Sequence, residues 1–125
     1  MVRLSEREFD RVLKDAIASL PPAFREVLDY VPVVVDPWPS DEQLDLLEEE
    51  GDDDLMGLFV GPPISEWQRP DAPPETAVIY VFQGPLEECC ATKKELAEQI
   101  RITLFHELGH CLGFDEEGLM RIGLE

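Results

Sequence analysis

Two histidines near the C-terminal end constrain this chain more than any other feature. They lie in the segment His106-Glu107-Leu108-Gly109-His110 and are the only histidines in the sequence. On an α-helix, positions i and i+4 are separated by about 40° of rotation and about 6 Å of rise, so both imidazoles leave the same face. The spacing therefore predicts a helix on which His106 and His110 bind one metal ion.

Glu107 lies about 100° around the same helix from His106, which directs its carboxylate to a water on the metal rather than to the metal itself. A catalytic zinc site takes three protein ligands and leaves one position for water, whose pKa falls from about 16 to about 7. Glu107 would take the proton of that water and deliver it to a leaving amine. The motif thus predicts Zn²⁺ as the cofactor and hydrolysis as the chemistry.

The third metal ligand is expected shortly after Gly113. Glycine tolerates the positive φ that lets the chain turn back towards the metal. In the extended motif His-Glu-x-x-His-x-x-Gly-x-x-(His/Asp), the third ligand position is occupied here by Glu116. Carboxylate oxygen is an accepted zinc donor, so Glu116 is the predicted ligand. Asp115, one residue earlier, remains the alternative.

The rest of the motif helix, predicted over residues 92–113, separates into two faces. Leu104, Leu108 and Cys111 lie roughly opposite the histidines, together with Ala97, where a core would be. The histidine face carries Gln99, Ile102, Thr103 and Gly113. We expect a helix that forms the floor of a cleft, with Cys111 packed in the core.

Composition limits the partners. Ten basic and twenty-eight acidic residues in a chain of 125 give a net charge of −18. The length suits one domain over residues 1–125, and the charge opposes binding to nucleic acid or to anionic membranes. The start is polar, and no apolar run is long enough to span a membrane. Two of the three cysteines are adjacent, a poor geometry for a disulfide, so we expect a cytoplasmic protein with reduced thiols.

Hydrophobic periodicity predicts a mixed domain with few strands. Ser5 and Glu8 have the spacing of a capping box at the start of an amphipathic helix, and Pro32 suggests that its strand begins there or lies on a sheet edge. Trp67 is interpreted as a packing anchor within the proline-rich loop 62–74. The predicted helices cover residues 4–19, 23–30, a short segment begun by Ser40 or Asp41, and 92–113; the predicted strands cover 31–35, 55–61 and 76–83.

The sequence resembles the small bacterial zincin-like metallopeptidases. The resemblance rests on the segment 106–110, Gly113, the acids 115–117 and the segments 33–35, 58–64 and 79–81. It implies a zincin-like α+β fold, in which a small twisted sheet packs against helices with the motif helix beneath the sheet's edge. In that family the acid three residues after the glycine is usually Asp, whereas here it is Glu116.

Two functions follow as hypotheses. The first is a zinc-dependent peptidase acting on a peptide or protein substrate, with His106, His110 and Glu116 as metal ligands and Glu107 as general base. The second is a non-catalytic metal-binding or interaction domain that retains the site as a structural staple. They differ in the fourth metal position, which a hydrolase leaves to water and a staple fills with protein.

Overall fold

The computed structural model describes residues 1–49, 55–69 and 71–113. A short 3₁₀ turn, Ile64–Glu66, lies between the second and third strands. The other elements, in chain order, are α1 (Glu6–Ala18), α2 (Pro22–Leu28), β1 (Val33–Asp36), α3 (Asp41–Glu49), β2 (Gly57–Val60), β3 (Val78–Phe82), α4 (Gln83–Glu88) and α5 (Lys93–Cys111). None of these helices is long and apolar enough to cross a membrane.

The strands form a three-stranded sheet in the order β1-β3-β2. β1 runs parallel to β3, and β2 runs antiparallel to it. The edge position predicted from Pro32 is confirmed, because β1 pairs only with β3 within the described residues. Pro32 lacks an N–H, but its carbonyl still accepts from the backbone N–H of Ile79 at 3.0 Å.

Alternation along β3 places apolar side chains on both faces of the sheet. Ile79 and Val81 point into the main core beneath α1 and α5, and Phe82 packs on the opposite face with Leu47 of α3 and Leu58 of β2. Helices therefore cover both faces of a small sheet. The predicted α+β architecture is confirmed.

At the start of two predicted helices, side chains accept hydrogen bonds from backbone N–H groups. In α1, Ser5 Oγ accepts from Glu8 N at 3.1 Å while Glu8 Oε1 accepts from Ser5 N at 3.3 Å, so the capping box is present. The same reciprocal pair, Ser40 with Gln43, begins α3. Of the two residues considered for that cap, Ser40 is the one that caps the helix.

The prediction that the third strand continues to Gln83 is wrong, because α4 begins at that residue. Gln83 Nε2 donates to Leu4 O at 3.1 Å and to Glu87 Oε2 at 3.2 Å, and the backbone N–H of Gly84 donates to Pro37 O at 2.8 Å. A side chain at Gly84 would collide with the indole of Trp38. Contacts with distant segments therefore end the strand where local propensity would continue it.

Trp67 is a packing anchor, as predicted. Its side chain is buried in the main core, and Nε1 donates to Pro62 O at 3.0 Å. The indole thereby holds the start of the proline-rich loop against the core, just after the end of β2.

Candidate metal centre

Three of the four residues predicted on the core face of helix α5 are fully buried, namely Leu104, Leu108 and Cys111, whereas Ala97 is only partly buried. Ile102, predicted on the histidine face, is exposed. Burial raises the pKa of the Cys111 thiol to about 11, which agrees with a packing role rather than a reactive one.

The two motif histidines converge on one point. Their Nε2 atoms lie 3.2 Å apart, and the rings meet edge to face with centroids 4.8 Å apart. Two nitrogens bound to a tetrahedral zinc ion at about 2.0–2.1 Å are separated by about 3.3–3.4 Å. The observed separation therefore fits a shared zinc ion with almost no movement of either ring.

Glu107 joins the two histidines in a group of three side chains, the only such group that His, Cys, Asp and Glu form within the described residues. The candidate ligand atoms of His106, Glu107 and His110 all lie within 4.8 Å of one another. Glu107 is fully buried, and its Oε2 lies 4.0 Å from His106 Nε2. This group can hold a metal ion.

The other carboxylate oxygen of Glu107 is bound by the sheet. Phe59 N donates to Glu107 Oε1 at 2.8 Å. Phe82 N donates to Met56 O, and in an antiparallel pair only every second residue of a strand bonds to its neighbour. The N–H and C=O of Phe59 therefore point away from β3. The outer edge of β2 therefore contacts the motif helix directly. As a result, the two oxygens of Glu107 lie in different surroundings.

Gly57 permits this close approach. A Cβ at Gly57 would lie 2.5 Å from Thr103 Cγ2 and 3.3 Å from both Glu107 Cγ and Tyr80 O. Thr103, which sequence periodicity places on the histidine face, is accordingly buried beneath β2. The predicted floor of a cleft is thus partly covered by the sheet edge.

Gly113 has the backbone conformation that the motif predicts. Its φ is +96°, and a Cβ added at this position would lie 3.8 Å from Pro63 Cβ, an ordinary van der Waals contact. The positive φ, rather than lack of space, therefore requires glycine here. Glu116 and Asp115 lie outside the described residues, so the identity of the third ligand stays a prediction.

The hydrogen bond from Phe59 to Glu107 is the part of the site that sequence reasoning missed. Its donor is a backbone N–H, which every residue except proline possesses. The one indirect signal was Gly57, because a glycine within a strand often marks close approach of another segment.

Comparison with known proteins agrees with this geometry. A family model described as zincin-like metallopeptidase matches residues 28–124. No curated protein matches the chain. Because the match extends over most of the 125 residues, the chain belongs to the zincin-like metallopeptidase family. The segment before residue 28, which includes α1, precedes the match.

Proposed function

We propose that this protein is a zinc-dependent peptidase. His106, His110 and Glu116 bind the metal, and Glu107 is the general base. The observation that carries the proposal is the 3.2 Å separation of the two histidine Nε2 atoms, with a Glu107 oxygen 4.0 Å from the nearer one. Family membership supports the same chemistry.

A zinc ion held by His106, His110 and Glu116 would supply a Lewis acid that lowers the pKa of water to about 7. Glu107 Oε2, on the histidine side, would serve as the proton acceptor and later as the donor to the leaving amine. Phe59 holds the carboxylate through Oε1, so Oε2 keeps its direction throughout. The sheet edge thus acts as a positioning element for the base.

The proposed substrate is a peptide or protein segment in extended conformation. An extended chain can pair with a sheet edge by β-augmentation, which is the binding mode we propose. The net charge of −18 would attract basic segments in preference to acidic ones. The three free cysteines suit the reducing cytoplasm as the compartment.

The test combines metal analysis with cleavage of a peptide library rich in basic and neutral sequences. We expect one zinc ion per chain in the wild type and in Glu107→Gln, and cleavage at least about 100-fold slower in the variant. Glutamine is the matched control because its amide oxygen still accepts from Phe59 N. Equal cleavage by both proteins, or no stoichiometric zinc after metal loading, would contradict the proposal.

A second function, the structural staple, is favoured by a different observation. Glu107 is fully buried beneath β2, whereas a general base must meet water and substrate. In that case zinc would bind and stabilise the fold, but no cleavage would depend on Glu107. The same experiment separates the two functions, since only the peptidase loses activity in Glu107→Gln.

A further inference from the structure

Three sulfur atoms meet where the C-terminal end of α4 lies beside the start of β2. Cys89 Sγ lies 3.5 Å from Met56 Sδ and 3.5 Å from Cys90 Sγ. Neither cysteine is in a disulfide. None of the three residues belongs to α5, so this sulfur cluster (Met56, Cys89 and Cys90) shares no residue with the histidine site.

The backbone around the sulfur cluster is fixed by contacts with three other parts of the chain. Met56 O accepts from Phe82 N at 2.9 Å, which holds the methionine to the central strand. Cys90 O accepts from Val2 N at 2.8 Å, and Cys89 Sγ donates to Leu86 O at 3.1 Å. The three sulfurs are therefore brought together by the fold and not by the adjacency of the cysteines alone.

The sulfur cluster is exposed to solvent on one side and buried on the other. Cys89 is exposed, Met56 is partly buried and Cys90 is buried. Burial, together with the hydrogen bond to Cys89, raises the pKa of the Cys90 thiol to about 12. Cys90 is therefore a neutral thiol near neutral pH. Because only the thiolate binds a metal, binding at Cys90 requires a thiophilic ion that displaces the thiol proton.

The separations of Cys89 Sγ from Met56 Sδ and from Cys90 Sγ are close to those between two sulfurs on a three-coordinate metal. With metal–sulfur bonds of about 2.3 Å, three sulfurs around one ion are about 4 Å apart. Each 3.5 Å contact would need to lengthen by about half an ångström, which rotation of the exposed Cys89 side chain supplies. Thiolate and thioether donors are soft, and this set favours Cu(I) over ions that prefer oxygen ligands.

We propose that Met56, Cys89 and Cys90 form a binding site for a soft thiophilic ion, with Cu(I) as its ligand. The ion enters as Cu(I) and leaves the same way, so no oxidant or reductant is required. Binding forms two copper–thiolate bonds and one copper–thioether bond, and the two thiol protons pass to water. The resulting centre carries one negative charge.

The test is a competition for Cu(I) between the zinc-loaded 125-residue chain and bathocuproine disulfonate under anaerobic conditions. We expect one Cu(I) per wild-type chain. Cys89→Ser should lose binding, and Met56→Leu, which conserves volume, should weaken it at least about tenfold. Cys111→Ala removes the third thiol and should leave Cu(I) binding unchanged.

A spectroscopic readout covers the possibility that a variant fails to fold. X-ray absorption on the copper-loaded wild type should show sulfur scatterers at all coordinating positions. Nitrogen scatterers would assign the copper to the histidines and overturn the proposal. Unchanged affinity in Met56→Leu, no Cu(I) bound in competition, or loss of two hydrogen masses through a Cys89–Cys90 disulfide in the anaerobic protein would also overturn it.

Discussion

Glu107 shows how one side chain can be fixed by two elements. Its Oε1 accepts from Phe59 on the sheet edge, and its Oε2 faces His106 on its own helix. Only substitution by proline removes a backbone N–H donor, so the orientation of this carboxylate depends mainly on how closely β2 approaches α5. Gly57 sets that distance.

Replacement of Gly57 by alanine tests this dependence. The added methyl would lie 2.5 Å from Thr103 Cγ2, so either β2 or the helix must shift. We expect the free energy of unfolding to fall by about 1–3 kcal/mol, as overpacking usually costs. Urea denaturation of the wild type and Gly57→Ala measures the change.

The matched control is Thr103→Ser, which removes only the methyl that Gly57→Ala would strike. In the double variant the alanine methyl occupies the vacated space, so the cost should be smaller than the sum of the two single costs. Strict additivity of the two substitutions would show that the contact with Thr103 does not limit the approach of β2.

At the scale of elements, α5 combines a polar start with a site near its end. Thr92 Oγ1 accepts from Glu95 N at 3.1 Å and caps the first turn. Thr92 and His106 are fourteen residues apart in sequence, or about 21 Å along the helix axis. The cap therefore contributes to helix stability without contacting the site.

Removal of this cap should lower stability and leave the site intact. Thr92→Ala exposes an unsatisfied N–H, and we expect a loss of about 1 kcal/mol in the free energy of unfolding. Zinc stoichiometry and cleavage per folded molecule should not change. If the folded Thr92→Ala variant also lost zinc binding, the cap at the start of α5 and the site near its end would not be independent.

The capping box of α1 makes stability depend on pH. The pKa of Glu8 is lowered from 4.5, first by the backbone N–H of Ser5 and then by the Ser5 side chain. A lowered folded-state pKa means that the contribution is present above pH 4.5 and is lost as the pH falls through the folded value. We expect the wild type to lose more stability than Glu8→Gln on acidification through this range.

Glu8→Gln is the suitable comparison because glutamine retains the capping-box acceptor but does not titrate. The denaturant midpoint of both proteins, measured from neutral pH down to below pH 4.5, gives the difference. Parallel curves for the two proteins would show that Glu8 does not link protonation to the stability of α1.

At the scale of the whole molecule, metal and fold are coupled through the proposed zinc site. A ligand that binds only the folded state at 100 times its dissociation constant stabilises it by about 2.7 kcal/mol. We therefore expect zinc to raise the melting temperature of the wild type and a chelator to reverse the rise. Thermal unfolding with and without zinc provides the measurement.

The variant His106→Ala/His110→Ala identifies the source of this effect. It removes both predicted nitrogen ligands, so zinc should no longer raise its melting temperature. The outcome that counts against the site is an equal rise in both proteins, which would place the stabilising zinc elsewhere.

The main core also includes α1, although the family match begins at residue 28. Phe9, Leu13 and Ala16 of α1 are buried in the same cluster as Leu104 and Leu108 of α5. The motif helix is therefore supported by a segment that the match does not include. The site cannot be understood from residues 28–124 alone.

The sequence by itself determined the features that depend on short-range spacing. The interval between His106 and His110 defines one helix face, Ser5 with Glu8 defines a helix start, and Pro32 removes a donor and so favours an edge. Each property follows from a few neighbouring residues, because helix and strand periods and side-chain donors act locally. Glu116 belongs to the same kind of prediction and still awaits its test.

Only the tertiary structure decided the features that depend on distant segments. The bond from Phe59 to Glu107, the start of α4 at Gln83 and the approach of Met56 to Cys89 join residues between 33 and 79 positions apart. Backbone groups and sulfur contacts of this kind have no sequence period. Their positions follow from the packing of the sheet on α5, because packing fixes which surfaces of distant elements meet.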